Sequence, residues 1–292
     1  MPWWIFSVIA LVAMSLYSVL FKKALNFNIG QQKILFYVFL LSLLGYIFLN
    51  SRSSALMPAN NLTLYLAWGI LVGALSVAGN LLEAKATKLS PNPGYVQRTK
   101  SANVLLILFA SYLLFGARLN LQSLVGVVLI FGGLLMLLEP GKQLKEGQGK
   151  WRPFAIGAMF VFAAMILSVK QMSNLGFSPT QNLIVLFFFA TLGFFFTNNN
   201  KRDLIKMSWP HLALILVLAA VAFAANLFNF TALKLTSNAG YSQAIFNSNA
   251  AFTTVLASLI LPRGQGGEVN YRRWLGAFVV VLGDIIIAMS TG

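Results

Sequence analysis

Ten long apolar runs divide this 292-residue sequence at nearly regular intervals. A helix needs roughly 20 apolar residues to cross the hydrocarbon core of a bilayer, which is about 30 Å thick. Membrane β-strands alternate in polarity over about ten residues, and these runs do not alternate. The sequence therefore predicts an all-α integral membrane protein with ten transmembrane helices, at 3–21, 32–49, 62–83, 94–115, 119–138, 153–172, 179–197, 210–233, 239–261 and 271–290.

Composition supports a membrane protein and excludes several other classes. Hydrophobic residues make up 58% of the chain and charged residues 9%, whereas roughly a quarter of the residues of soluble domains are charged. The net charge of +15 comes from basic residues in short runs between apolar segments, where they anchor membrane topology, so we expect no nucleic-acid partner. The absence of cysteine excludes disulfides and thiolate metal sites.

An internal repeat organises the chain. Ten of 24 positions are identical when residues 80–103 are shifted by 146 onto 226–249, and several of these are polar residues that an apolar composition does not supply. A shift of 150 aligns Gly126 with Gly276 and Gly133 with Gly283. The same shift near the start of each half predicts the equivalences Ser18/Ser168, Val19/Val169, Leu25/Leu175, Phe27/Phe177 and Gln31/Gln181.

Each repeat contains five predicted helices, an odd number, so the second half must enter the membrane in the opposite sense. The predicted domains are a first repeat at 1–140, a linker at 141–152 and a second repeat at 153–292. Basic residues concentrate in the connections after helices 1, 3, 5, 7 and 9. The positive-inside rule places those loops in the cytoplasm, and we expect a bacterial inner membrane.

Helices 4 and 9 open with the same pattern, an Asn followed by Gly-Tyr-x-Gln at 94–97 and 240–243. With the ten-helix repeat, this resembles the drug/metabolite transporter superfamily and its EamA-type branch. The resemblance implies two inverted repeats around a central cavity, lined mainly by helices 3, 4, 8 and 9. Members export amino acids, drugs or other metabolites, or carry phosphorylated sugars and nucleotide sugars. The turn at 115–119 lacks the acidic residue that many members carry there, which puts any role of that carboxylate in doubt.

Polar residues inside a bilayer are costly and by default mark a pathway or a partner. The predicted substrate-binding residues are Asn80, Tyr95, Gln97, Arg98, Lys100, Ser101, Asn103, Asn226, Tyr241, Gln243, Asn247 and Asn249. Arg98 and Lys100 have no basic equivalents in the second half, so one interpretation makes them a positive pole for a carboxylate or phosphate. The other interpretation is that both side chains extend to the lipid headgroups.

Glu83 is the proton-coupling candidate, because it lies within a predicted span. The alternative is that Glu83 neutralises a nearby cation, namely Lys85, Lys88, Arg98 or Lys100. Asn80 and Asn226 are expected to hydrogen-bond across helices.

Enzyme chemistry finds no support in the sequence. His211 is the only histidine, and no nucleophile elbow or Gly-rich nucleotide loop is present, so we predict no catalytic residues, no metal and no cofactor. We predict a secondary transporter or facilitator of small polar metabolites, most specifically an exporter of amino acids or related organic acids that works by alternating access as a monomer or homodimer. The alternatives are a phosphorylated-sugar, nucleotide-sugar or drug transporter of the same fold, and a non-transporting membrane scaffold or lipid-handling subunit.

Overall fold

A computed structural model describes residues 1–27, 29–51, 61–136, 149–198, 201, 204, 208–260 and 271–290. These ranges are helical, without a strand, and most of the predicted linker lies outside them. The helices are α1 (Trp3–Asn26), α2 (Gln31–Ser51), α3 (Leu62–Leu89), α4 (Pro93–Ser101), α5 (Asn103–Phe115), α6 (Leu121–Met136), α7 (Arg152–Asn174), α8 (Pro179–Thr197), α9 (Trp209–Leu235), α10 (Ala239–Asn247), α11 (Asn249–Ile260) and α12 (Tyr271–Ser290).

Seven of these helices are individually long and apolar enough to cross a membrane, namely α1, α2, α3, α7, α8, α9 and α12. The shorter helix α6 is also apolar. The chain is therefore an integral membrane protein of helical type.

The predicted fourth and ninth helices are not continuous. The first is divided into α4 and α5 at Ala102, and the second into α10 and α11 at Ser248. Ser and Asn side chains compete with the backbone for hydrogen bonds and so disfavour helix interiors. At these breaks the Ser101 hydroxyl donates to the carbonyl of Gln97, and the Asn249 amide donates to the carbonyl of Phe246. The polar clusters predicted to hold site residues therefore also interrupt their helices.

The two halves pack through equivalent helices. A Cβ atom added at Gly126 would lie 2.8 Å from the carbonyl oxygen of Gly283, and one at Gly133 would lie 2.6 Å from that of Gly276. The later glycine of α6 contacts the earlier glycine of α12, so these equivalent helices are antiparallel, as an inverted repeat requires. The glycine equivalences predicted with a shift of 150 are confirmed by this pairing.

The predicted register at the start of each half is wrong by two residues. The rings of Phe39 and Phe194 lie 5.0 Å apart, and those of Tyr46 and Phe187 lie 5.1 Å apart. Phe187 lies 148 residues after Phe39, and Phe194 lies 148 residues after Tyr46, so the two contacts are equivalent under a shift of 148. The last residues of α1 and α7 differ by the same number. The wrong alignment rested on five scattered identities, three of them between common apolar residues. The pairs that it matched wrongly are Ser18/Ser168, Val19/Val169, Leu25/Leu175, Phe27/Phe177 and Gln31/Gln181.

Two buried lysines close the ends of long helices. The Lys22 amine donates to the carbonyl of Ser90 at 2.9 Å, just after α3, and the Lys170 amine donates to the carbonyl of Thr236 at 2.7 Å, just after α9. The last carbonyls of a helix lack partners within it and carry a negative partial charge. Both lysines are thus held by the fold, so neither serves as a plain topology marker.

The glycine contact between α6 and α12 predicts a sharp difference between neighbouring residues. We expect Gly133→Ala to lower the melting temperature in detergent, because forcing a methyl group into a packed contact costs about 1–3 kcal/mol. Gly132→Ala is the matched control, since a Cβ there would meet no atom within 4 Å among the described residues. Equal melting temperatures for the two variants would contradict this packing.

The lysine contacts predict a similar contrast on α1. Lys22→Gln should destabilise the protein by about 1.5–3 kcal/mol, the usual contribution of a hydrogen bond from a charged group. Lys23→Gln removes the same charge from an exposed neighbour and should change little. Thermal unfolding in one detergent measures both, and a smaller loss for Lys22→Gln than for Lys23→Gln would refute the assignment.

Candidate functional site

A cavity of about 90 Å³ lies between the two halves. That volume is enough for several water molecules, at roughly 10–15 Å³ each. Its polar lining comes from α3, α4, α5, α9 and α10, and the side chains are Ser76, Asn80, Glu83, Lys100, Asn103, Asn226, Asn229, Gln243 and Asn247. The rest of the lining is mostly aromatic or aliphatic, from Met14, Tyr17, Val38, Phe39, Phe162, Met165, Ile166, Leu186, Phe187, Ala222, Phe230 and Phe246.

A buried ion pair forms the charged part of the cavity. The Lys100 amine lies 2.9 Å from each carboxylate oxygen of Glu83, and Glu83 comes from α3 while Lys100 comes from α4. The Gln97 side-chain amide donates to the same carboxylate at 2.5 Å and to the Ser18 hydroxyl at 3.1 Å. The Lys100 amine also lies 5.0 Å from the ring centroid of Phe162. The pair carries no net charge, and it matches the alternative in which Glu83 neutralises a nearby cation.

The second half repeats this arrangement without charge. The Gln243 amide donates to the side-chain oxygen of Asn229 at 2.9 Å, which is the equivalent of the bond from Gln97 to Glu83. Phe246 occupies the position equivalent to Lys100. The cavity is therefore asymmetric, with an ion pair on one side and an amide pair on the other.

The two helix breaks meet between the halves. The Ser101 hydroxyl, which shares its one proton with the carbonyl of Gln97, lies 3.0 Å from the backbone carbonyl oxygen of Asn247, and Ser101 and Asn247 are equivalents in the repeat. The Asn247 amide donates to the side-chain oxygen of Asn103 at 2.9 Å. Contact between equivalent positions places the breaks on the pseudo-two-fold axis. The polar groups freed at each break are thereby held next to the cavity.

Asn80 and Asn226 line the cavity. They were predicted to bond across helices, but among the described residues their amides donate within their own helices. Each amide donates at 2.8 Å to the carbonyl four residues earlier, from Asn80 to Ser76 and from Asn226 to Ala222. An i−4 bond of this kind gives an amide N–H a local partner. It leaves the side chain at the cavity wall.

Three predicted site residues lie beside the cavity and do not form its wall. Gln97 lines a smaller pocket next to it and holds Glu83, as described above. Ser101 binds the opposite helix break, and Asn249 is bonded to the carbonyl of Phe246. These residues position the groups that line the cavity.

The two predicted tyrosines have different structural partners. The Tyr95 hydroxyl accepts a hydrogen bond from the Arg273 guanidinium at 3.1 Å. The Tyr241 hydroxyl accepts one from the backbone N–H of Asn120 at 2.7 Å. Neither tyrosine lines the central cavity. Repeat equivalence thus preserves the side chain here without preserving its contact.

Arg98 is separated from Lys100 although only one residue lies between them. It lines a second recess of about 330 Å³, and the other lining residues there are Thr99, Ala102, Phe131, Leu134, Leu135, Ile156 and Met159. Residues two apart in a helix point about 200° apart, so only Lys100 reaches the cavity. The predicted positive pole of Arg98 and Lys100 is not formed in this structure.

Two polar cavity residues were absent from the predicted set. Ser76 lies one turn before Asn80 and two turns before Glu83 on the same face of α3. Asn229 follows Asn226 by one turn on α9. Helical spacing from the chosen residues would have found both. No comparable signal distinguishes the aromatic lining, because the chain holds 25 phenylalanines.

The comparisons with known proteins agree with this architecture. In the described part of the chain, no three His, Cys, Asp or Glu side chains lie together as a metal site.

No curated protein matched the sequence. One solved crystal structure covers 98% of this chain and 98% of its own with a TM-score of 0.70, and at 13% identity this likeness shows the fold alone.

A family model assigns the chain more directly, because it matches each half separately. The EamA-like transporter family matches residues 1–139 and again 149–289, so the family domain occurs twice. These two matches cover nearly the whole sequence. The chain belongs to the EamA-like transporter family.

Proposed function

We propose that this membrane transporter of small molecules carries zwitterionic metabolites, with amino acids as the leading class, and that it exports them by alternating access. The observation that carries the proposal is the buried ion pair of Glu83 and Lys100 at a cavity between equivalent helices. The related organic acids remain within the predicted class but fit this cavity less well.

The argument for a zwitterion starts from charge balance. Removing one partner from a buried ion pair costs about 3–5 kcal/mol, because the other charge is left uncompensated. An anion that paired with Lys100 would leave the carboxylate of Glu83 buried without a partner. A zwitterion brings a carboxylate for Lys100 and an ammonium for Glu83, so both charges stay paired when it enters. Phosphorylated sugars carry only negative charge and have no ammonium group to pair with Glu83.

The remainder of the cavity suits the other parts of such a molecule. On the polar side, the amides of Asn103 and Asn247 form one hydrogen-bonded pair. The amides of Asn229 and Gln243 form a second pair. Phe39 and Phe187 stack at 4.5 Å on the apolar side. Mixed linings of this kind, with few polar groups among apolar ones, are typical of small-molecule sites. An amino acid with an apolar side chain has both parts.

We infer ten crossings from helix lengths. Pro93 to Phe115 covers about 35 Å at 1.5 Å per residue even though it is broken, which exceeds the thickness of the hydrocarbon core. The same applies to Ala239 to Ile260 at about 33 Å. The described part of α6 is shorter, and we count it as a crossing because it is apolar and packs against its repeat equivalent, the long helix α12. These three crossings add to the seven long helices. Discontinuous helices at the midplane are a recurrent feature of transporters built from inverted repeats.

Orientation follows from the basic residues. Lys22 and Lys170 are both held by helix ends, and they were counted on opposite sides of the membrane, so removing them leaves the difference between the two sides unchanged. The proposal keeps the loops after the first, third, fifth, seventh and ninth spans in the cytoplasm of a bacterial inner membrane. Export then begins from the cytoplasmic side, where α3 ends.

The first test measures substrate class in proteoliposomes. We expect saturable flux of labelled zwitterionic amino acids, and weaker flux of dicarboxylates and amines, in wild-type protein. Glu83→Gln leaves Lys100 unbalanced and should shift the preference by at least about tenfold toward monocarboxylates, the equivalent of about 1.4 kcal/mol. Lys88→Gln is the matched control, because Lys88 is exposed in a helix end nearby. A dicarboxylate as the preferred wild-type cargo would overturn the zwitterion.

The second test decides between proton coupling and facilitated transport. If Glu83 carries a proton, an imposed pH gradient should drive wild-type accumulation several-fold above equilibrium, and Glu83→Gln should equilibrate its monocarboxylate without accumulation. Asp284→Asn is the control, since this half-buried carboxylate accepts a hydrogen bond from Ser248 at 2.8 Å and lies outside the cavity. Wild-type flux that ignores the gradient would establish facilitated transport instead.

A further inference from the structure

The second recess, lined by Arg98, lies on the outer surface of the bundle between α4, α6 and α7. Leu135 and Ile156 line it and are 60% and 45% exposed. In an integral membrane protein, exposed apolar residues on span helices face lipid tails. The recess is therefore open to the bilayer, and it differs from the central cavity in both position and access.

Arg98 gives this apolar recess one strongly polar corner. Its Nη1 atom is buried and has no hydrogen-bond partner among the described residues. A buried guanidinium donor without an acceptor is unfavourable, because the charged group has lost water and gained nothing in return. The corner is thus suited to an acceptor from outside the described chain.

The surroundings of Arg98 increase the need for an anion. Arg152, at the start of α7, is exposed and lies one turn before the lining residue Ile156, so it is on the same face of that helix. Within the described residues the two carboxylates are Glu83 and Asp284, and both are engaged elsewhere. Two arginines therefore border the recess without a described counter-ion.

A second buried donor lies close by. The indole ring of Trp151 stacks on that of Tyr95, with centroids 6.4 Å apart, and Tyr95 is one turn before Arg98 on α4. The indole N–H of Trp151 is also buried without a partner among the described residues. Aromatic rings and basic residues at the end of a span are typical of the headgroup region of a membrane.

We propose that this recess binds an anionic phospholipid, with its phosphate at Arg98 and Arg152 and an acyl chain along Leu135 and Ile156. The guanidinium group matches phosphate oxygens in geometry and charge. Basic pockets between helices on the cytoplasmic side recognise anionic headgroups, and the open apolar wall matches an acyl chain, which a soluble anion lacks. The occupant is thus a component of the bilayer, bound apart from the transported cargo.

The test measures lipid binding directly. Native mass spectrometry of the purified full chain, titrated with phosphatidylglycerol or phosphatidylcholine in detergent, reports bound lipid for each headgroup. We expect phosphatidylglycerol to bind at least about fivefold more tightly than phosphatidylcholine, which is the effect of about one Lys or Arg near an anionic surface. Arg98→Gln should abolish this preference, and Arg118→Gln, which removes an exposed charge from the loop before α6, should retain it.

A second variant keeps the proposal testable if Arg98→Gln does not fold. Ile156→Trp fills the recess from its exposed side, leaves both guanidinium groups in place, and should also abolish the preference. Phosphatidylglycerol binding that persists in Ile156→Trp, or equal binding of the two lipids to wild-type protein, would overturn the site.

Inorganic phosphate distinguishes a lipid from a soluble anion. It should raise the melting temperature of wild-type protein less than an equal concentration of phosphatidylglycerol does, because it has no acyl chain for the apolar wall. Equal stabilisation would assign the recess to a soluble anion.

The double variant Glu139→Gln/Glu146→Gln tests for a counter-ion from the linker. If this variant prefers phosphatidylglycerol and the wild type does not, a carboxylate of the chain occupies the corner in the wild type, and the lipid site is overturned.

Discussion

A polar group inside a bilayer must find its partner within the protein, and this constraint explains most of the contacts in the structure. The carboxylate of Glu83 and the amine of Lys100 satisfy each other at 2.9 Å. The amines of Lys22 and Lys170 bind carbonyls at the ends of long helices. Because each partner comes from another helix, satisfying the polar groups also fixes how the helices pack.

The two halves contain equivalent hydrogen bonds at the cavity, and the cavity is asymmetric where the residues that form these bonds differ. The Gln97 bond to Glu83 and the Gln243 bond to Asn229 are equivalent, yet only the first of these two bonds involves a charged side chain. The cavity therefore has an ion pair on one side and uncharged amides on the other.

Prediction from sequence succeeded where a pattern has a single physical meaning. The apolar runs predicted helices, and the glycines of α6 and α12 predicted a close contact between equivalents, because no other residue allows such an approach. It failed where many registers look alike. The alignment at the start of the two halves rested on a few scattered identities and was shifted by two residues, and the aromatic residues of the cavity gave no signal. Arg98 was grouped with Lys100 by proximity in sequence, although the helix turns them apart.

The sequence by itself determined that this chain is a helical membrane protein with an internal repeat, because apolar length and repeated polar residues are properties of the chain alone. It also located the polar stretches of the broken helices. Only the tertiary structure decided which of those side chains share a cavity, that Glu83 neutralises Lys100, and that Arg98 faces the outer surface. The physical reason is that pairing and burial depend on which helices meet, and residues far apart in sequence, such as Asn103 and Asn247, become partners only after the two halves have packed.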